Sequence, residues 1–254
     1  MKKIYLLLFI VFSVKIFSQT KTIHVYVALC DNKYQGIVPV PKTLGNGKDP
    51  RNNLYWGAAY GVKSYLKYKT KDWSLVANLK PDNVNVLERV LFKHKSKDMY
   101  LLADAYDGEQ IKNCTIDFLK ASNNQRKEEI VYKDKRLNFG GSSNLVSYIG
   151  HDGLMDFNVS IPYNNSTSNK KDVIILACYS QHFFSKELRK ANANPILLTT
   201  NLMAPEAYTL KAALDGWSLL ESKKEIKERA AKAYHKYQKC GLRGARNLFN
   251  TSLK

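Results

Sequence analysis

A histidine and a cysteine each follow an apolar run in this sequence. The stretch YIGHDGLMDF places His151 just after one run, and DVIILACYS places Cys178 just after the next. A free thiol has a pKa of about 8.5 and becomes a strong nucleophile at neutral pH only when its surroundings, such as a nearby imidazole, favour the thiolate. The two residue types together therefore suggest nucleophilic catalysis by a thiol–imidazole pair, provided that the fold brings them to one place.

The elements that must position this pair alternate between strands and helices. We predict strands at 23–29, 98–106, 144–150, 172–177 and 195–200, and 73–79 is ambiguous. We predict helices at 54–68 (capped by Asn52 or Asn53), 84–94, 108–122, 185–192, from about 205 onward, and at 219–239. Such alternation is typical of a three-layer α/β sandwich around a mainly parallel sheet.

In such sheets, ligands bind beyond the carboxyl ends of the strands. The predicted strands 144–150 and 172–177 are consecutive, and if they are neighbours in the sheet their carboxyl ends meet at one edge. We therefore expect His151 and Cys178 to lie side by side at that edge.

This pattern resembles the caspase-like cysteine peptidases, a group that includes caspases, legumains, gingipains and separases. The resemblance rests on a His after one apolar strand and a Cys in an Ala-Cys step after the next. The first strand with its long loop and helix is similar to the opening of that fold. The stretch ILLTTNLMAPEAY is similar to the segment that follows the catalytic Cys in legumain-like members. The resemblance covers most of residues 20–218 as a pattern rather than as identity.

The resemblance implies a role for each matching residue. Cys178 would be the nucleophile and His151 the general acid and base. Backbone N–H groups of Gly153 and Cys178 would form the oxyanion hole. No cofactor or metal is implied, and the substrate would be a peptide or a protein.

Two positions depart from the family pattern and keep an alternative open. Asp152 stands between His151 and Gly153, where the family has a small residue directly after the His, and Tyr179 follows Cys178 in place of a small residue. Asp152 would either orient the imidazole or disturb the oxyanion hole. The leading hypothesis is an exported cysteine-dependent peptidase, and the alternative is a catalytically inactive caspase-like binding module at the cell envelope.

The remaining cysteines and acidic residues have simpler interpretations. Cys30 also ends a strand, so a disulfide with Cys178 stays open, whereas Cys114 is expected in the core and Cys240 at a helix end. No zinc spacing is present. Four acidic residues could gather at this edge and bind Ca²⁺, but no calcium-loop pattern is present, so they are expected to cap helices and turns: Asp31, Asp104, Asp107 and Asp156.

The N-terminus and the charge bear on location and partners. Residues 1–18 have the basic start, apolar centre and small final residue of a secretory signal peptide, so we expect an exported, periplasmic or secreted protein. Residues 19–254 would form one caspase-like α/β domain without a transmembrane segment. The net charge of +18 makes anionic glycans or lipids conceivable partners, whereas nucleic acid is not expected for an exported protein.

Overall fold

The computed structural model describes residues 20–164 and 169–254, so the expected signal peptide at 1–18 lies outside the described residues. The strands in chain order are β1 (Lys21–Ala28), β2 (Trp73–Leu79), β3 (Val86–His94), β4 (Met99–Tyr106), β5 (Lys127–Tyr132), β6 (Lys135–Gly140), β7 (Leu145–Ile149), β8 (Asp172–Leu176), β9 (Asn194–Thr199) and β10 (Phe249–Asn250). The helices are α1 (Val62–Tyr68), α2 (Ile111–Ser122), α3 (Ser180–Lys190), α4 (Ala207–Ser218), α5 (Lys223–Gln238) and α6 (Leu242–Leu248).

Eight of these strands form one mixed sheet in the order β10-β9-β8-β7-β1-β4-β3-β2. The strands from β9 to β4 run parallel to one another, whereas β2 and β3 form an antiparallel hairpin at one edge and β10 pairs antiparallel with β9 at the other. Strands β1, β4 and β7 are buried along nearly their whole length, as expected when helices cover both faces of a parallel sheet.

Helices cover the sheet on both faces. Helices α1, α4 and α5 contribute to one hydrophobic core, for example through Leu66, Leu214 and Ile226. Helices α2 and α3 contribute to a second core, in which Phe118 packs edge-on to Phe184. The predicted three-layer α/β sandwich with a mainly parallel sheet is confirmed. No helix in the described part of the chain is long and apolar enough to span a bilayer.

The helix predicted at 84–94 is wrong, because this segment is strand β3. It pairs with β2 on one side and β4 on the other, so neighbouring strands rather than its own turns satisfy its backbone. Val90, Leu91 and Phe92 are fully buried. Burial on both faces of a strand gives a continuous apolar run that sequence periodicity does not separate from a buried helix.

The helix predicted at 54–68 is much shorter, since α1 begins only at Val62. Asn53 does not cap it; its side chain instead accepts a hydrogen bond from the Cys30 backbone N–H at 3.0 Å and donates to the Cys30 carbonyl at 2.8 Å. Turns occupy the chain up to Gly61. A Cβ on Gly57 would lie 2.0 Å from the Arg51 carbonyl oxygen. The two hydrogen bonds between Asn53 and Cys30 hold the loop after β1 against the end of that strand.

The C-terminal helix predicted at 219–239 corresponds to α5. Ser222 caps it in a reciprocal capping box with Glu225, which explains a start at Lys223. Beyond the end of α5, Gly241 precedes helix α6, and the chain then adds β10 to the sheet. These last two elements were not anticipated from the sequence.

Candidate functional site

His151 and Cys178 occupy equivalent positions beyond two neighbouring strands. Strands β7 and β8 pair in parallel, and Ile149 at the end of β7 lies opposite Leu176 at the end of β8. Each functional residue stands two positions after this last pair. The register therefore brings both side chains to the same edge at the same level, one strand apart.

The backbone turns sharply between β7 and His151. Gly150 has φ +146°, which side-chain-bearing residues rarely adopt, and a Cβ there would lie 2.7 Å from the Ala28 carbonyl oxygen. Its N–H donates to the Leu176 carbonyl at 3.3 Å, which continues the contact with β8. A glycine is therefore needed to direct His151 out of the strand.

A second turn follows Cys178. Tyr179 has φ +50°, in the left-handed region that is unfavourable for a bulky residue, and helix α3 begins at the next residue. The Tyr179 N–H donates to the Asn201 carbonyl at 3.1 Å and holds the turn. The helix begins earlier than the predicted 185, so Cys178 lies just before its N-terminus, where the helix dipole favours a thiolate.

The thiol of Cys178 is half-buried and contacts the backbone of a neighbouring loop. Its Sγ lies 3.4 Å from the Met203 N–H nitrogen and 3.7 Å from the Met203 carbonyl oxygen. Burial raises the pKa of Cys178, the Met203 N–H lowers it, and the charge of Asp152 raises it; the net shift is upward. The thiol is consequently protonated at neutral pH in this state.

The imidazole of His151 is held by Asp156. Its Nε2 lies 2.7 Å from Asp156 Oδ2, and the ring is almost completely buried. Asp156 Oδ2 also accepts from the Gly36 N–H at 3.3 Å, which ties the long loop after β1 to the site. Because a carboxylate accepts at Nε2, the proton of a neutral ring resides there and Nδ1 is left as the basic nitrogen.

Asp152, the residue expected to orient the imidazole, is engaged elsewhere. Its Oδ1 accepts from the Leu154 N–H at 3.0 Å and caps the single 3₁₀ turn at 153–155. Its Oδ2 is buried without a hydrogen-bond partner in the described part of the chain. Burial raises the pKa of Asp152 to about 8, although the Leu154 N–H opposes this and Asp156 adds to it. The carboxylate that contacts the ring is that of Asp156.

The two expected oxyanion donors differ in placement. Cys178 lines the cavity described below, whereas Gly153 is buried beneath the ring of Phe157 and is not among its lining residues. Within residues 20–164 and 169–254, neither the Gly153 N–H nor the Cys178 N–H donates to another residue. Both amides thus keep their hydrogen-bonding capacity.

His151 and Cys178 line one cavity of about 400 Å³. Its walls are mostly apolar and come from the loop after β1, through Ile37 and Leu54, and from the segment after β9, through Leu202. Mostly apolar walls with a few polar groups are typical of small-ligand sites. Sequence patterns did not reveal these walls, because both segments are loops.

The four cysteines are free. The disulfide left open between Cys30 and Cys178 is absent, and Cys178 keeps its thiol. Cys30 is fully buried, and burial raises its pKa to about 11 despite a hydrogen bond from Tyr55. Cys114 lies in the core of α2, and Cys240 is exposed after α5, as expected.

A buried charged network, which sequence reasoning missed, lies on the same sheet. His24 Nε2 is 3.0 Å from Asp104 Oδ2, and Arg89 donates two hydrogen bonds of 2.7 Å to the Asp104 carboxylate and also pairs with Glu128. His24, Asp104 and Glu128 are close enough to share a metal ion. The guanidinium group of Arg89 already satisfies both carboxylates, so this donor set suits an ion-pair network better than a metal. The two polar residues inside apolar strands were the available sequence clue.

Two other acidic residues that were considered as Ca²⁺ ligands accept backbone hydrogen bonds in turns. Asp31 accepts from the backbone N–H groups of Lys33, Tyr34 and Gly47 in the loop after β1. Asp107 caps the 3₁₀ turn that leads into α2. These contacts agree with the turn and cap roles expected for Asp31 and Asp107. The same expectation is wrong for Asp104, which lies inside β4 and pairs with Arg89, and for Asp156, which contacts His151.

The chain was also compared with models of protein families, with curated protein sequences and with solved structures. None of these three comparisons finds a match.

Proposed function

We propose that this protein is an exported cysteine-dependent peptidase of the caspase-like type, with Cys178 as nucleophile and His151 as general acid and base. The observation that carries the proposal is that both side chains follow equivalent ends of neighbouring parallel strands and line one cavity. The mainly parallel sheet between two helical layers is compatible with a caspase-like fold. Export rests on the expected signal peptide, and mass spectrometry of the mature chain should find its N-terminus near Gln19.

In the proposed reaction the Cys178 Sγ attacks the carbonyl carbon of the scissile peptide bond. His151 takes the thiol proton and passes it to the leaving amine as the carbon–nitrogen bond breaks. A water molecule then attacks the thioester with the help of His151, releases the carboxylic acid and returns the proton to the thiol. Because burial keeps the resting thiol protonated, proton transfer to His151 accompanies the attack rather than preceding it.

The carboxylate of Asp156 stabilises the protonated imidazole that forms during this reaction, as in other nucleophile–base–acid arrangements. The 2.7 Å contact between Asp156 and His151 supports this role. Asp156 touches His151 rather than substrate and is therefore a positioning residue. The N–H of Cys178, which donates to no other residue in the described part of the chain, would donate to the developing oxyanion.

The test is hydrolysis of a fluorogenic peptide library by the wild type and by Cys178→Ala. We expect the substitution to lower activity by at least about 10³-fold, since the nucleophile is removed. Cys240→Ala is the matched control, because Cys240 is exposed and does not line the cavity, and it should keep full activity. Equal hydrolysis by the wild type and Cys178→Ala would contradict the proposal.

A second candidate is a catalytically inactive module that binds peptides in the same cavity. The upward shift of the Cys178 pKa favours it, because an unactivated thiol reacts slowly. Turnover distinguishes the two, because the raised thiol pKa is common to both. Peptide hydrolysis that is lost in Cys178→Ala would support the peptidase, whereas peptide binding by the wild type without hydrolysis would support the binding module.

A further inference from the structure

One carboxylate stands in the otherwise apolar wall of the cavity that holds His151 and Cys178. Glu206 is the only acidic residue among the described residues that line it, and no Lys or Arg lines it. This is unusual for a chain with 40 Lys and Arg against 22 Asp and Glu. The sign of the charge in the cavity is therefore opposite to that of the whole protein.

Neighbouring side chains hold the Glu206 carboxylate by one of its oxygens. Tyr208 donates its hydroxyl to Glu206 Oε2 at 2.7 Å, and Gln238 donates its amide to the same oxygen at 3.1 Å. Oε1 accepts no hydrogen bond from any residue in the described part of the chain. A positioned carboxylate with one open oxygen is suited to receive a charged donor.

The loop that leads to Glu206 contacts the thiol of Cys178. Met203 contacts the Cys178 Sγ through its backbone, and Glu206 lies three residues further along. Three residues span at most about 10 Å even when fully extended. Cys178 and Glu206 also line the same cavity, so the carboxylate is available to a long side chain that enters the cavity from Cys178.

We propose that this cavity selects a Lys or Arg residue on the acyl side of the scissile bond, with Glu206 as the residue that determines this specificity. The inference rests on the proposed peptidase function. The aliphatic stem of such a side chain packs against the apolar walls, through residues such as Leu54 and Leu202, while its cationic end pairs with Glu206. An acidic side chain in the same place is repelled.

The experiment uses four fluorogenic peptides that differ only at this residue: Lys, Arg, norleucine and Asp. Norleucine keeps an aliphatic chain like that of Lys without its charge. For the wild type we expect the order Lys and Arg, then norleucine, then Asp. Glu206→Gln, which keeps an acceptor oxygen, should lower kcat/KM for the Lys and Arg peptides by about 10- to 100-fold relative to kcat/KM for the norleucine peptide.

The matched control is Glu129→Gln, because Glu129 is an exposed carboxylate on the β5–β6 hairpin. This variant should keep the wild-type order. Equal cleavage of the Lys and norleucine peptides by the wild type, or an unchanged preference in Glu206→Gln, would overturn the specificity proposal while leaving the peptidase proposal standing.

A binding measurement separates the two proposals when hydrolysis fails. n-Butylguanidinium is titrated into Cys178→Ala protein, with and without Glu206→Gln, and binding is followed by calorimetry. Weaker binding in the double variant supports a cation-selective cavity even if the wild type cleaves no peptide, in which case only the peptidase proposal falls. Equal affinity, or no binding in either protein, contradicts the specificity proposal.

Discussion

At the scale of single residues, the candidate site depends on Asp156, which the sequence presented as a turn residue rather than as the partner of His151. Asp152 stands next to His151 in sequence, yet its oxygen caps a turn, whereas Asp156 reaches the ring at 2.7 Å. The 3₁₀ turn at 153–155 reverses the chain and brings Asp156 back beside His151. Proximity in sequence was misleading because the turn sets the direction of each side chain.

Asp156→Asn is expected to lower kcat/KM for peptide hydrolysis by about 10- to 100-fold. The loss is smaller than the roughly 10⁴-fold effect of the equivalent change in a fully buried triad, because Asp156 is partly exposed. The negative charge that stabilises the imidazolium formed during the reaction is removed, so the loss should fall on kcat rather than on KM. Steady-state kinetics with one fluorogenic peptide measure both constants.

Asp152→Asn is the matched comparison, since it makes the same chemical change at a carboxyl that does not contact the ring. It should leave kcat close to the wild-type value. If Asp152→Asn lowers kcat and Asp156→Asn does not, the orienting role belongs to Asp152 instead.

At the scale of elements, two tight turns after β7 and β8 set the direction of the functional side chains. Each turn uses backbone conformations that are rare for ordinary residues, at Gly150 and at Tyr179. Glycine adopts a positive φ readily, whereas the conformation of Tyr179 is unfavourable by about 1–3 kcal/mol and persists only where the surrounding structure enforces it. The paired strands and the loop that carries Asn201 provide that enforcement here.

Gly150→Ala should reduce the free energy of unfolding by about 2–3 kcal/mol, because the new Cβ meets the Ala28 carbonyl oxygen at a disallowed φ. Gly244→Ala is the control. Gly244 lies in helix α6 with open space around it, so the change should stabilise by up to about 1 kcal/mol. Urea unfolding of both variants measures the difference, and equal midpoints for the two would contradict this account of the turn.

At the scale of the whole molecule, a buried charged network joins the central sheet to the β5–β6 hairpin. It links His24 in β1, Arg89 in β3, Asp104 in β4 and Glu128 in β5. Burial would raise the pKa of Asp104, but His24 and Arg89 overcome this and lower it to about 2. The folded state therefore holds this carboxylate in its charged form.

Arg89→Met should reduce the free energy of unfolding by about 3–5 kcal/mol, because it leaves Asp104 charged and poorly paired in the core. Arg136→Met is the control, since its exposed pair with Glu129 contributes less than about 1 kcal/mol. Urea unfolding at pH 7 compares the two. Similar losses for both would show that the network does not contribute as proposed.

The same network predicts how the stability of the folded state depends on pH in acid. A carboxyl whose pKa is lowered by folding stabilises the folded state above its unfolded pKa, and this contribution is lost as the pH falls from about 4 through about 2. Without Arg89 the pKa of Asp104 rises, so acid unfolding of Arg89→Met should begin at higher pH than that of the wild type. Circular dichroism during acid titration measures this shift.

The sequence by itself determined the three-layer α/β class, most of the strands, and the His151–Cys178 pair. Apolar strand runs and the alternation of strands with helices are local properties, so they can be recognised from the amino-acid sequence alone. Strand β3 was misassigned because a strand buried on both faces has no distinguishing period.

Only the tertiary structure decided which groups surround the thiol and the imidazole. Asp156, Met203 and Glu206 reach the site from a turn and a loop, and their positions depend on contacts with β1, α4 and α5 that no local pattern encodes. The buried pairing of His24 with Asp104 likewise joins residues 80 positions apart. Side-chain direction in loops follows from packing and long-range hydrogen bonds, and these exist only once the chain has folded.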